Sequence, residues 1–164
     1  MENIRYFEDL QVGDAFESAY MHVSEEDIIA FARQYDPHPF HTGEPPLIEP
    51  MFDGLIAAGW HTGAICIRQM ADVLLLHCAV YCSPGVGNVR WHAPMRPGDD
   101  VRTRVEVREK TVSPRNPARG RITFEARLSN ARGDLLMSMQ PSVLFSRRAA
   151  GEPGGGQLET ASNI

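Results

Sequence analysis

The sequence contains little cysteine and little lysine. Its three cysteines (Cys66, Cys78 and Cys82) are an odd number, and the chain does not open on a basic segment followed by an apolar one. This usage excludes a disulfide framework and predicts reduced thiols in a cytoplasmic protein. Neither a CxxC pair nor an HExxH motif occurs, so no metal site is expected.

Positive charge is also scarce: 16 Lys and Arg residues face 21 Asp and Glu residues, a formal net charge of −5, and Lys110 is the only lysine. Phosphate neutralisation by basic residues supplies most of the affinity of nucleic-acid binders, so this chain is not expected to bind nucleic acid. The charge is uneven, since residues 1–88 sum to −10 and residues 89–164 to +5. The second half could receive a small anionic ligand.

The length of 164 residues fits one domain and leaves no room for a separate cofactor domain. Apolar residues make up 43% of the chain and charged residues 23%, which is ordinary for a protein with a packed core. We expect a single domain over residues 1–148 and a flexible, glycine-rich tail over residues 149–164. Charged side chains interrupt the apolar segment 54–80, which favours a buried helix over a membrane span.

Hydrophobic periodicity predicts the order of the secondary-structure elements. In the first half it indicates a short strand, an amphipathic helix capped by Ser24, a proline-rich loop and one long apolar helix. In the second half apolar and polar residues alternate, as in antiparallel strands, with turns at Ser83–Gly85 and Asn130–Asp134. The predicted segments are strand Ala15–Val23, helix Ser24–Gln34, loop Pro37–Met51, helix Gly54–Val80, strand Gly87–Ala93 and strands around Val101–Val107, Ile122–Leu128 and Leu135–Phe145. One helix wrapped by an antiparallel sheet is an α+β architecture.

The densest cluster of chemical groups runs from Tyr35 to His41. Asp36 and His41 are five positions apart on a segment stiffened by Pro37 and Pro39, so both side chains can point into one cavity. A carboxylate and an imidazole suffice to hold a water molecule, remove one proton and deliver another. The alternative is that Asp36 caps a turn and that His41 is a solvated loop residue.

A second candidate site is the start of the long helix, where Gly54, Ala58 and Gly59 are small. Free backbone N–H groups at a helix start can bind an oxygen atom that gains negative charge. Trp60 and His61 follow directly, and we expect them to line the same site. The alternative is that the small residues, and His61 with them, serve packing against the sheet.

Together these segments resemble the MaoC-like dehydratases, a hot-dog-fold family that includes the (R)-specific enoyl-CoA hydratases. The resemblance rests on Phe31–Thr42, Gly54–Thr62 and the strand and turn Asn88–Asp99, and it covers about residues 7–148. It implies a long central helix wrapped by a curved antiparallel sheet. It also implies a trans-2-enoyl thioester substrate that itself carries coenzyme A, with no further cofactor. Exposed sheet edges and the family both predict at least a homodimer.

The resemblance implies residue roles as well. Asp36 and His41 match the family's catalytic Asp and His, which would bind the water that adds to C3 and deliver a proton to C2, giving an (R)-3-hydroxyacyl thioester. Gly59 matches the glycine whose backbone N–H binds the thioester oxygen. Two positions depart from the family pattern: Pro37–Pro39 contains histidine where Asn-Pro is usual, and Ile67 stands where a hydrogen-bonding serine is usual.

Arginines of the later strands are candidates for binding coenzyme A, since a guanidinium binds phosphate through two parallel hydrogen bonds. We single out Arg90 and Arg96; the alternative is that they are solvated surface charges. Two other functions stay open: an acyl-CoA thioesterase, in which Asp36 directs water at the carbonyl carbon, and a non-catalytic subunit that binds acyl thioesters. The pairing of Asp36 with His41 favours the hydro-lyase.

Overall fold

The fold centres on a six-stranded sheet, seen in a computed structural model that describes residues 4–148. The predicted flexible tail, residues 149–164, lies outside the described residues. In chain order the elements are β1 (Ala15–Glu17), β2 (Met21–His22), α1 (Glu25–Tyr35), α2 (Pro39–Thr42), α3 (Gly59–Val73), β3 (Val80–Trp91), β4 (Asp100–Val112), β5 (Arg119–Asn130) and β6 (Leu135–Ser146). The strand order is β1-β4-β5-β6-β3, β2 also pairs with β4, and these pairings are antiparallel.

Alternate side chains of β4, β5 and β6 pack against α3 and form the core. Val105, Phe124 and Met137 from the three strands are fully buried, as are Cys66 and Met70 from the helix. Full burial of an apolar side chain of this size contributes about 1.5–3 kcal/mol. The predicted α+β architecture is confirmed: one long helix is wrapped by an antiparallel sheet, which is the hot-dog arrangement.

The predicted amphipathic helix is confirmed as α1. Ser24 caps it, since the Ser24 hydroxyl accepts a hydrogen bond from the Asp27 N–H at 3.1 Å. Ile28 and Ala32 are buried, whereas Tyr35 on the last turn is 66% exposed. The apolar face of α1 therefore ends one turn earlier than the spacing predicts.

The predicted helix Gly54–Val80 is wrong at both ends, because α3 covers only its middle. Ahead of α3 the N–H of Ile56 donates to Phe40 O at 3.1 Å and the N–H of Ala57 donates to Met95 O at 2.9 Å. These bonds tie the segment to α2 and to the connection between β3 and β4, so the chain cannot become helical earlier. After α3, a short 3-10 turn leads directly into β3.

The predicted turn Ser83–Gly85 is also wrong, since these residues lie inside β3. β3 is an edge strand whose pairing with β6 shifts register between Cys82 and Gly85. Proline cannot donate to a sheet ladder, and Pro84 is accommodated because an edge strand with a bulge needs fewer ladder donors. The proline-rich loop, predicted as irregular, contains the short helix α2.

The cysteines, as predicted, form no disulfide: Cys66, Cys78 and Cys82 are free thiols. Burial raises the pKa of the Cys66 and Cys78 thiols to about 11, so both stay protonated at neutral pH. Across residues 4–148 no three His, Cys, Asp or Glu side chains converge on a position that could hold a metal ion. In the same range no helix has the length and the apolar run needed to cross a bilayer.

The N-terminal segment is fastened to the end of β6 by two ion pairs. Arg148 donates to both carboxylate oxygens of Asp9 at 2.6 Å, and Arg147 Nε donates to Glu8 Oε1 at 2.8 Å. Burial by itself raises the pKa of Asp9, but hydrogen bonds from Arg148 and from the Tyr6 N–H outweigh it and hold the pKa below its ordinary 3.8. The side chains of Arg148 and Asp9 are 12% and 17% exposed, so solvent screens this pair in part.

Acid is therefore expected to weaken the fold through Asp9. A carboxyl whose pKa is lower in the folded state stabilises the fold fully above its ordinary pKa, and loses that contribution as the pH falls through the lowered value. At pH 7 we expect Asp9→Asn to lower the free energy of unfolding by about 1–3 kcal/mol, and this difference from the wild type to shrink below about pH 4. Chemical denaturation at pH 7, 4 and 2.5 measures it. Asp72→Asn, in the exposed pair with Arg68, is the control and should change the free energy by less than about 0.5 kcal/mol.

Candidate active site

The loop after α1 places Asp36 and His41 face to face. Asp36 ends α1, where its N–H donates to Ala32 O at 2.8 Å and Pro37 prevents further helix. Pro39 opens α2, a single turn that carries His41. The chain thus reverses between two prolines, and Asp36 Oδ2 lies 3.7 Å from His41 Nε2.

The imidazole of His41 is held from behind by the extended segment that precedes α3. His41 is 7% exposed, and its Nδ1 lies 2.8 Å from Ile56 O. A carbonyl can only accept a hydrogen bond, so Nδ1 carries a proton, and in the neutral imidazole Nε2 then presents a lone pair toward Asp36. The bond between Ile56 N–H and Phe40 O keeps this support in place.

The other oxygen of the Asp36 carboxylate faces a second histidine. Asp36 Oδ1 lies 3.7 Å from His38 Nε2, and the His38 side chain is 65% exposed. The sequence showed His38 as a departure from the family motif and predicted no catalytic role for it. The signal that could have identified it is its position between two prolines, which restricts the backbone on both sides.

Two acceptors that face each other have a clear chemical use. Asp36 Oδ2 and the lone pair of His41 Nε2 repel each other unless a donor lies between them. A water molecule near both atoms can donate one hydrogen to each, which leaves its own lone pairs free to attack a carbon atom. The pair can thus orient and deprotonate water, which is the chemistry predicted for it.

The start of α3 leaves backbone donors free. Within residues 4–148 no carbonyl accepts from the N–H of Gly59 or of Trp60. The Trp91 indole lies on Gly59: a Cβ there would be 3.0 Å from Trp91 Cε2, and Trp91 Nε1 donates to Gly59 O at 2.7 Å. The lack of a side chain at this position is what lets the two elements approach so closely.

His61 lies in the first turn of α3 but packs against α1. Its ring stacks on Phe31 with centroids 4.7 Å apart, and the two side chains line a groove of about 330 Å³ together with Tyr35 and Ile65. Burial lowers the pKa of His61, which nearby Asp27 offsets only in part, so the ring is neutral at pH 7. Its Nδ1 finds no hydrogen-bond partner among the described residues. The contacts of His61 are those of a packing residue that also borders a groove.

The two singled-out arginines differ in their surroundings. Arg90 is exposed on β3, whereas Arg96 is half-buried in the connection between β3 and β4. The Arg96 guanidinium donates to Asp53 O, and the Arg96 N–H donates to Asp99 Oδ2 at 2.9 Å. Arg96 therefore fastens the segment that leads to the start of α3. Ile67, at the usual serine position, is 40% exposed on the outer face of α3.

The chain is similar to known proteins in both sequence and fold. The sequence model of the MaoC-like domain matches residues 9–126. The uncharacterized protein YdeM of Bacillus subtilis is 26% identical over 140 residues, which are 85% of this chain and 98% of the relative. A 3-hydroxybutyryl-CoA dehydratase of Methylorubrum extorquens is 34% identical over 107 residues, which are 65% of this chain and 66% of the relative.

A solved structure agrees with these sequence matches. The crystal structure of a MaoC-like dehydratase from Rhodospirillum rubrum superposes with a TM-score of 0.80 at 34% sequence identity. The superposition covers 88% of this chain and 99% of that structure.

Proposed function

This chain belongs to the MaoC-like domain family, and from that premise we propose that it is a hydro-lyase that hydrates trans-2-enoyl-CoA thioesters reversibly to 3-hydroxyacyl-CoA. The observation that carries the proposal is the pair of facing acceptors, Asp36 Oδ2 and His41 Nε2, 3.7 Å apart. Hydration needs a water molecule that is held with a lone pair free, and the side chains of Asp36 and His41 are suited to hold it. The relative from Methylorubrum extorquens is itself named a 3-hydroxybutyryl-CoA dehydratase.

In the proposed reaction Asp36 and His41 act together as base and acid. The water oxygen bonds to C3 while one of its O–H bonds breaks and the proton passes to the pair. The electrons of the C2=C3 bond move toward the thioester carbonyl, and the pair then returns a proton to C2. No proton is gained or lost overall. If the family's stereochemistry holds, the product is the (R)-3-hydroxyacyl thioester.

The free N–H of Gly59 is proposed to bind the thioester oxygen as it gains negative charge. The Trp60 N–H beside it is also without an acceptor within residues 4–148, so the helix start offers two donors to one oxygen. A hydrogen bond to that oxygen makes C3 more electrophilic and stabilises the enolate-like transition state. His61, which borders the neighbouring groove, is kept as a candidate contact of the acyl chain.

The coenzyme and the partner subunit are proposed from surface features. Arg90 lies on β3 and Arg96 in the connection that follows it, both within the basic half of the chain. They are proposed to bind the coenzyme A phosphates. An unchanged KM for acyl-CoA in Arg90→Ala would contradict this.

β3 is an edge strand with Tyr81, Val86 and Trp91 exposed, which supports pairing with a second copy. Sedimentation that detects only the 18.2 kDa species would contradict a dimer.

The test is an assay of the purified wild-type protein with crotonyl-CoA and longer trans-2-enoyl-CoA thioesters. We expect loss of the enoyl thioester absorbance without release of free thiol, which a thiol reagent measures in parallel. Thiol release without hydration would overturn the proposal in favour of a thioesterase. Binding of the thioesters with no chemical change would overturn it in favour of a non-catalytic subunit.

A further inference from the structure

The carboxylate of Asp36 stands in an unfavourable place. It lies at the C-terminal end of α1, where the last carbonyl groups carry partial negative charge and repel an anion. Within residues 4–148 no backbone N–H and no hydroxyl donates to either carboxylate oxygen. The contacts of the carboxylate are the two imidazoles, each at 3.7 Å. In the neutral ring, the His41 nitrogen that faces the carboxylate presents a lone pair. Unless another group holds it, the carboxylate gains by turning away toward solvent.

We propose that His38 is a positioning residue that holds the Asp36 carboxylate with Oδ2 directed at His41. This inference rests on the proposed role of Asp36 in hydration. Both ring nitrogens of His38 lack another partner within residues 4–148, so Nε2 can carry its proton and direct it at Asp36 Oδ1. One oxygen of the carboxylate then faces a donor at 3.7 Å, and the other stays free for the water.

The surroundings of His38 keep its ring in this place. Pro37 and Pro39 restrict the backbone on both sides, and the His38 N–H donates to Asp36 O at 2.8 Å. The ring stacks on Phe40 with an interplanar angle of 3° and centroids 5.3 Å apart. An exposed side chain is usually mobile, but these restraints select one direction for it, and that direction points at Asp36.

Two substitutions separate the donor from the stacking. His38→Phe keeps an aromatic ring on Phe40 but has no N–H, whereas His38→Gln keeps a donor but has no ring. We expect His38→Phe to lower kcat for crotonyl-CoA hydration about 10-fold with KM within about 2-fold, since misplacement of a catalytic group acts on the chemical step. His38→Gln should stay within about 3-fold of the wild-type kcat. The control is His77→Phe, at a histidine in the turn after α3 whose Nε2 lies 3.2 Å from Asp72 O, and it should leave kcat unchanged.

Crystal structures of the wild type and of His38→Phe provide a readout that does not need activity. We expect Asp36 Oδ2 within 4 Å of His41 Nε2 in the wild type and turned away in the variant. The proposal is overturned if the carboxylate keeps its place in His38→Phe, or if kcat of that variant equals that of the wild type. Should the wild type fail to hydrate any enoyl-CoA, the proposed function fails, while the two structures still decide whether His38 positions Asp36.

Discussion

Asp36→Asn is expected to lower kcat for crotonyl-CoA hydration by about 10³-fold or more. The amide keeps the shape of the side chain, and its oxygen can still accept a hydrogen bond. It cannot take a proton, however, so the water proposed to lie between Asp36 and His41 loses its base. The same change removes a negative charge from the C-terminal end of α1, which favours the helix by about 0.3–1 kcal/mol. Loss of activity together with an unchanged or slightly higher Tm is therefore the expected combination.

His41→Gln and the double variant complete the experiment. If the two groups act as one unit on one water molecule, the double variant should be about as slow as the slower single variant. Asp53→Asn, in the segment leading to α3, is the matched control and should keep wild-type kcat. An Asp36→Asn variant with kcat within about 3-fold of the wild type would remove the basis of the proposed mechanism.

Gly120→Ala is expected to lower the free energy of unfolding by about 1–3 kcal/mol. Gly120 lies on β5 directly beneath the ring of Phe7, and a Cβ at this position would overlap the ring, standing only 2.6 Å from Phe7 Cγ. The ring cannot move freely, because the Lys110 ammonium lies over it at 4.5 Å and Arg147 holds the segment next to it. The strand must shift, or the N-terminal segment must leave the sheet.

Chemical denaturation at neutral pH measures this loss. Gly85→Ala is the matched control: it is the same substitution in another strand, and a Cβ there meets no atom within 4 Å. The control should leave the free energy of unfolding within about 0.5 kcal/mol of the wild type. Equal effects of the two substitutions would show that the contact between Phe7 and Gly120 does not limit stability.

The strands β4 and β5 were predictable because their pattern has a single interpretation. Val101 to Val107 and Ile122 to Leu128 alternate strictly, and one face of each strand is buried as predicted. The cap at Ser24 was predictable for a similar reason, since it depends on residues within one turn. Local patterns of this kind determine local structure directly.

The bounds of α3 and the part played by Arg96 were not predictable, because they depend on partners far along the chain. An apolar segment predicts burial but does not predict the residue at which a helix begins. The hydrogen bond from Ala57 N–H to Met95 O, which delays the start of α3, joins two residues that share no sequence pattern. Arg96 donates to Asp53 O, 43 positions away. For the site, the residues of the facing pair were visible in the sequence, whereas the tautomer of His41 became clear only with the carbonyl of Ile56 behind it.

The contact between the Trp91 indole and Gly59 has a practical consequence. The chain has two tryptophans, and both Trp60 and Trp91 lie at the start of α3, edge to face with centroids 5.4 Å apart. Tryptophan fluorescence, excited at wavelengths that the four tyrosines do not absorb, therefore originates at the proposed binding site of the thioester oxygen. A thioester that approaches the Gly59 N–H changes the environment of both emitters, so affinity can be titrated without a label in a variant that no longer turns the substrate over.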